Sequence, residues 1–318
     1  MSEIPAVSMP GALPSAGETP KPIGAGEIPK RIGIVVHPSR SIDRPLRLLR
    51  EWAGAHGVDL VQIPAAYHQR RVAEESDPSD PDLIVSIGGD GTTLAALRSA
   101  AMAQRPVMGI ACGSLGALAT VAVDDVLRSL ERFSAGEWQP RRFPALSIVH
   151  GEDEPLFALN DVAVVRAGGG QVRVTARVDG SMVARIAGDG AVVSTPIGSS
   201  GYTISAGGPL LATGLEGFVF TPLPKHGGFC PPLVISPRSQ LLLDVAPGFG
   251  GARLEVDGQV AGERVSSLTI SFREAVATMV SFVDQETLLT GLRRRRIILD
   301  SPRVAGDAER TAGCDDPV

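Results

Sequence analysis

The segment DLIVSIGGDGTTLAALRSAAM, residues 82–102, joins two periodicities across one turn. Asp82 to Ile87 is a short apolar run with strand character, and it passes straight into Gly88-Gly89-Asp90-Gly91-Thr92. Leu94, Leu97 and Met102 then recur in an Ala-rich helical pattern. Upstream, Arg31 to Val36 is an apolar run ended by His37-Pro38, and Leu60 to Ile63 reads as a second strand. Between them, Ser41 to Ala55 places Leu46, Leu48, Leu49 and Trp52 near helical spacing. Residues 70–81 are polar, carry Asp-Pro twice, and read as an exposed loop. Downstream, Val107 to Ala111 is a strand, and Asp124 to Phe133 a helix with Val126, Leu127, Leu130 and Phe133 close to one face. Strands and helices alternating through short links predict a parallel sheet covered by helices.

The texture changes near residue 141. From Ala145 to Val283 the apolar runs are short, often alternating, and divided by Gly, Asp or Pro. Val172 to Val178 ends at Asp179-Gly180, and Arg253 to Val256 ends at Asp257-Gly258. Such pairs predict hairpins, because glycine accepts the positive φ of a type I′ turn. The runs around Phe218-Val219-Phe220 and Leu241-Leu242-Leu243 read as core or subunit-interface strands. The expected fold is therefore α/β followed by β: an N-terminal parallel α/β domain over 31–140 and a C-terminal β-rich domain over 141–288. Residues 1–30, with six prolines and no apolar periodicity, read as a flexible tail, and 289–318 as a partly disordered C-terminal segment.

Composition narrows the function classes. The 318 residues carry a net charge of −5, so no basic excess points to nucleic acid. No apolar run reaches the roughly 18 to 20 residues that span a bilayer. The first 30 residues lack the basic and unbroken apolar regions of a secretory signal. Cys112, Cys230 and Cys314 offer neither a disulfide framework nor metal-ligand spacing, so a reducing cytoplasm is the expected compartment. Only 4% of residues are aromatic, which leaves Val, Leu, Ile and Ala to build the core.

Three segments carry chemistry. At the Gly88–Thr92 turn the glycines let backbone approach a ligand, and the N–H groups opening the next helix favour phosphate oxygens. Asp90 would repel a phosphate directly. It makes sense as a Mg²⁺ contact or as a base taking a proton from an attacking hydroxyl, unless it is simply a solvated turn residue. The second segment, GDGAVVSTPIGSSGYTISAGGP at 188–209, crowds hydroxyls and glycines. It reads as a loop wrapping a polar ligand or as an ordinary surface loop. The third, Leu159-Asn160-Asp161-Val162, is alone no more than an Asx turn or a strand start. His37, His56, His68 and His150 lack partner spacing, and Arg293 to Arg296 reads as a solvated or salt-bridging run.

In this order and at these separations, the three segments resemble the NAD kinase family. Val36-His37-Pro38, GIACGSLGAL at 109–118 and Asp257-Gly258-Gln259 add to the match, which runs from about residue 31 to 292. The resemblance implies a cleft between the two domains in which ATP or polyphosphate, with Mg²⁺, phosphorylates the 2′-hydroxyl of the adenosine ribose of NAD. It implies Asp90 as proton acceptor, with Gly88, Gly89, Gly91 and Thr92 around the nucleotide. It implies Asn160 and Asp161 as the pair holding the dinucleotide, Asp189 as a further contact, and Ser200, Gly201, Tyr202 and Ser205 as the surrounding loop. Gln259 would be a late binding residue, and the assembly a homodimer or homotetramer without nucleic acid or membrane partners. The chain departs from the family pattern at Ala111, where asparagine is usual, and at Ala117, where an aromatic is usual. It departs again at Ala187, where a basic residue is common, and at Ile197, where a hydroxyl is usual. Two other readings stand beside the first. One is a kinase of this fold acting on another nucleotide or nucleoside-like metabolite. The other is a non-catalytic NAD(P)-binding sensor, against which the intact Asp90 argues.

Overall fold

The computed structural model describes residues 27–65, 70–151, 154–212, 214–285, 288–294 and 296–301. His68, Arg295, the N-terminal tail to residue 26 and the acidic C-terminal tail lie outside them. The first part runs β1 (Arg31–Val36), α1 (Asp43–His56), β2 (Asp59–Gln62), β3 (Leu83–Gly88), α2 (Asp90–Ala103), β4 (Pro106–Ala111), β5 (Val121–Ala122) and α3 (Val126–Ser134). β4, β3, β1 and β2 lie side by side and parallel. β3 and β4 are buried at every residue, as a sheet covered on both faces requires. One face packs Ile34, Val85 and Ile110 against Leu49 and Trp52 of α1 and Leu130 and Phe133 of α3. The other packs Val35, Ile84 and Val107 against Ala96, Leu97 and Ala100 of α2. Each large side chain so buried contributes about 1.5–3 kcal/mol.

The remainder is strand-rich: β6 (Gln139–Val149), β7 (Leu156–Ala158), β8 (Asp161–Arg166), β9 (Val172–Val178), β10 (Ser181–Gly188), β11 (Gly190–Ser194), the short α4 (Tyr202–Ser205), β12 (Phe218–Pro222), β13 (Leu233–Ile235), β14 (Gln240–Pro247), β15 (Ala252–Val256), β16 (Gln259–Gly262), β17 (Ser267–Ser281) and α5 (Leu288–Arg294). An antiparallel sheet in the order β13-β12-β11-β8-β15-β16 packs against the β10-β9-β14-β17 part of the larger sheet. Alternation decides which residues face inward. Val172, Val174 and Ala176 of β9 enter this core with Val162, Val164, Phe218 and Phe220, while Arg173 points outward. Both Asp-Gly pairs form the expected hairpin turns, with φ of 48° and 80° at Asp179 and Gly180 and 49° and 76° at Asp257 and Gly258. The architecture is the α/β-then-β arrangement that the sequence predicts.

β17 ties the two sets of strands together. Its first half pairs with β14 and with the end of β6, and Thr278 and Met279 pair with Pro106 and Val107 of β4. A register shift between Arg273 and Ala277, with φ of 52° at Ala275, lets one strand serve both neighbourhoods. Among the described residues no helix is long and apolar enough to cross a membrane.

Candidate active site

The end of β3 and the start of α2 are fixed by main-chain contacts before any side chain acts. Ile87 and Gly88 offer their carbonyls to the N–H groups of His37 and Cys112, at 2.9 and 2.7 Å. Gly89 is extended, and α2 starts at Asp90, so the first free N–H groups of a 14-residue helix open at this turn. Thr93 ties the turn down, its hydroxyl lying 2.9 Å from the Ser86 hydroxyl and 3.2 Å from the Gly89 carbonyl. The turn forms one wall of a cleft of about 660 Å³. His37, Pro38 and Arg40 stand beside Gly89, Asp90, Gly91 and Thr92, and Asp257 to Val260 close the opposite side. Nδ1 of His37 accepts the N–H groups of Ser39 and Arg40 at 3.2 and 3.0 Å, which places the proton of a neutral ring on Nε2.

The Asp90 carboxylate is held by main chain. Oδ2 accepts the N–H of Ala117 at 2.9 Å, and Oδ1 accepts those of Leu118 and Ala119 at 2.9 and 3.0 Å. Gly116 is required here, because a Cβ at that position would fall inside the carboxylate. Arg141 braces the same loop from behind, donating to the Ala117 carbonyl at 3.3 Å with its guanidinium 4.9 Å from the Phe143 ring centroid. Burial pulls the Arg141 pKa down, and the Asp90 charge pulls it back up. Where the family pattern offers an aromatic, Ala117 thus contributes backbone to both Asp90 and Arg141. Arg294, in the run of arginines, donates to the Leu115 carbonyl at 2.8 Å, while Arg293 pairs with Asp300 at 2.6 Å.

A second carboxylate repeats the device across the cleft. Asp257 lies on the turn between β15 and β16, and its side chain is 1% exposed. Oδ1 accepts the N–H groups of Asn160 and Asp161 at 2.7 and 3.2 Å, and Oδ2 accepts that of Leu159 at 3.1 Å. Arg98 of α2 donates to Oδ2 as well. From the other side, the Asn160 carbonyl accepts the Thr195 N–H at 2.9 Å. The Asn160-Asp161 pair is therefore positioned through its backbone, and Asp161 sits at the head of β8 with 9% exposure. Burial, then the charges of Asp257 and Glu255, push its carboxyl up to about 7. Gln259 lines the cleft, and its buried Oε1 has no hydrogen-bond partner among the described residues.

The 188–209 segment runs through β11, which pairs with β8 and β12, and on into a 3-10 turn and α4. Ser199 and Ser200 turn their hydroxyls back to the carbonyls of Pro196 and Ile197, at 2.6 and 2.9 Å, and Ser205 turns to that of Gly201 at 3.0 Å. These hydroxyls stiffen a tight 3-10 turn and α4. Tyr202 is partly exposed; burial raises its phenol pKa, as do the charges of Glu255, Asp189 and Asp161. Asp189 is ion-paired with Nε of Arg166 at 2.6 Å and does not line the cleft. Ile197 packs on the core cluster beneath α2 and lines a separate cavity of about 260 Å³ with Leu215 and Phe272.

Of the residues singled out in the sequence, Gly89, Asp90, Gly91, Thr92 and Gln259 meet in the cleft, and Gly88 backs its wall. Asn160 and Asp161 join it through Asp257. Tyr202 and Asp189 share the electrostatic neighbourhood of Asp161. Ser200, Gly201 and Ser205 do not line the cleft. Sequence reasoning missed Arg98, Arg141 and the carboxylate function of Asp257. Asp257-Gly258 announced a turn, but nothing local said that the aspartate would turn inward.

Residues 48–138 match the family description ATP-NAD kinase N-terminal domain, and residues 159–283 match ATP-NAD kinase C-terminal domain. A NAD kinase of Heliobacterium modesticaldum is 33% identical over 279 residues, covering 83% of this chain and 97% of that protein. One of Acidobacterium capsulatum is 34% identical over 263 residues, covering 78% and 91%. Among solved structures, an NAD kinase from Archaeoglobus fulgidus in complex with ATP superposes with a TM-score of 0.65 at 27% identity, covering 84% of this chain and 96% of that one. A yeast NADH kinase complexed with NADH superposes with a TM-score of 0.70 at 17% identity, covering 86% and 89%, a likeness of fold.

Proposed function

The chain belongs to the NAD kinase family, and on that premise we propose that it transfers the terminal phosphoryl group of ATP to the 2′-hydroxyl of the adenosine ribose of NAD, giving NADP. The observation that carries this reading is the placement of Asp90. Its carboxylate stands at the mouth of a helix N-terminus, in a cleft whose far wall bears Gln259 and, through Asp257, the Asn160-Asp161 backbone. Phosphoryl transfer asks a protein for alignment and charge neutralisation more than for covalent chemistry. The N–H groups of Gly91 and Thr92, with Arg40 and the Nε2–H of His37, suit the donor phosphates. Asn160, Asp161 and Gln259 suit the polar groups of the dinucleotide. A carboxyl that keeps its proton near neutrality, as Asp161 does, can donate to a ribose hydroxyl as well as accept from one.

In the transfer, the 2′-oxygen forms a bond to the γ-phosphorus, and the bond from that phosphorus to the bridging oxygen breaks. ADP leaves, and the hydroxyl proton passes to Asp90. The residues fit Mg²⁺ as an ion carried on the nucleotide. Among the described residues no cluster of three or more His, Cys, Asp or Glu could hold a metal. Both carboxylates lining the cleft accept three main-chain amides, and Asp257 accepts Arg98 as well. Mg²⁺ is commonly held by one or two carboxylates and substrate phosphates, so Asp90 is the side chain that would join those phosphates around it. When bound, the ion supplies neutralisation of the phosphate charge. Membership of the family further supports a cytoplasmic homodimer or homotetramer.

The test is NADP formation from Mg-ATP and NAD by the wild type and by Asp90→Ala. We expect turnover by the wild type and a loss of roughly 100-fold or more in the variant, the upper end of a positioned acid–base group's contribution being about 10⁴-fold. An Asp90→Ala protein with wild-type turnover refutes the role of Asp90. A wild type that forms no NADP refutes the functional reading.

A further inference from the structure

We propose that the buried Arg98–Asp257 pair is a strut that fixes the spacing between Asp90 and the Asn160-Asp161 backbone, and that Arg98 is thereby a positioning residue for the transfer. The inference rests on the functional reading above. Asp90 and Arg98 lie on the same helix, eight residues apart, or about 12 Å along its axis. At one end, Asp90 gathers the amides of 117–119. At the other, Arg98 grips Asp257, which gathers the amides of 159–161. The groups suited to the hydroxyl's proton and to the dinucleotide are thus joined by one rigid path: carboxylate, helix, guanidinium, carboxylate, backbone.

Stability gives little reason for such a pair. The two side chains are 10% and 1% exposed, and taking both charges out of water offsets most of their attraction. An apolar side chain of similar length would fill the site beside Phe157, whose ring centroid lies 5.4 Å from the Arg98 guanidinium carbon. What an apolar residue cannot do is complete Asp257. Three amides and one guanidinium N–H together use the roughly four lone-pair directions of its carboxylate, which leaves that side chain one orientation. Without Arg98, the aspartate can rotate and release the 159–161 backbone. The loss appears as misalignment of the ribose, because displacements of about 1 Å can cost on the order of 100-fold in rate.

The experiment compares Arg98→Met and Arg98→Lys with the wild type. It reads kcat, KM for ATP, KM for NAD, thermal midpoint and folded fraction. For Arg98→Met we expect a lowered thermal midpoint, because Asp257 is left buried without its cation, and in the folded fraction a kcat lower by roughly 100-fold with a higher KM for NAD. KM for ATP should stay within about threefold, because the donor phosphates meet the other end of α2. Arg98→Lys keeps the charge without the planar fork, so it should recover part of the lost kcat. A folded Arg98→Met protein with kcat within about threefold of wild type overturns the proposal, as does a loss of rate that only follows the folded fraction. If Arg98→Met does not fold, Arg98→Lys decides: a kcat about tenfold lower at an unchanged thermal midpoint supports the strut, and an unchanged kcat overturns it. A wild type without NADP formation overturns the functional reading and the proposal together. Wild-type turnover beside an unaffected Arg98→Met overturns the proposal alone.

Discussion

Replacing Asp161 by asparagine should make the protein more stable at neutral and alkaline pH, and by an amount that depends on pH in a defined way. Asp161 is 9% exposed at the head of β8, and its carboxyl is pushed up to about 7 by burial and by Asp257 and Glu255. In the unfolded chain an ordinary aspartate titrates near 3.9. The folded state therefore holds a proton that the unfolded state releases, and stability falls as pH rises from about 4 to about 7. Below that window both states are protonated and the group contributes nothing; above it the full cost is present. A shift of about three units at 1.36 kcal/mol per unit sets a ceiling on the order of 4 kcal/mol. The amide of the Asp161→Asn variant would be isosteric with the carboxyl and neutral throughout. Urea denaturation of both proteins at half-unit steps from pH 4.5 to 8 gives the difference curve. It should be small at pH 4.5, rise through the window, and reach a plateau in favour of the variant near pH 7.5. A difference that stays flat across this range would show that Asp161 ionises in the folded protein as it does in the unfolded chain and would remove the reasoning.

Gly116→Ala places a methyl group inside the Asp90 carboxylate. The loop is half-exposed and can yield, so the thermal midpoint should move by only a few degrees while NADP formation falls by roughly 100-fold; unchanged turnover would show that Asp90 does not need its present orientation. Arg166→Met removes the partner of Asp189 from an ion pair whose side chains are 48% and 39% exposed. Its effect on stability should stay under about 1 kcal/mol by denaturation, whereas a larger loss would mean the pair is shielded from solvent.

What could be read in the residues and what could not divides along a physical line. β3, its glycine turn and α2 were legible because each signal is local: an apolar run, a turn that only small residues make, then helical spacing. The Asp-Gly hairpins at 179–180 and 257–258 were legible for the same reason. Arg98 looked like a charged residue on a helix, and its burial depends on a turn 159 residues away. Arg141 is similar, since the loop it braces and the carboxylate that loop holds come from different parts of the chain. Asp257 was half legible. Its place in the turn follows from Gly258, but its amide partners are set by the packing of β8 beside β15. Ile197 reads in the sequence as a hydroxyl replaced by a branched alkyl group; that this half-buried side chain packs against the core beneath α2 and lines a cavity with Leu215 and Phe272 depends on contacts distant in the chain.

The path of β17 bears on how the two parts of the chain are joined. Its 15 residues hydrogen-bond on one stretch to β14 and on another to β4, so the strand-rich part and the α/β part share one continuous sheet, whereas the Asp257–Val260 wall of the cleft belongs to the other sheet. The same continuity forbids dividing the molecule: a fragment ending near residue 138 would lose the strand alongside Pro106 and Val107 and leave part of β4 as an unpaired, sticky edge.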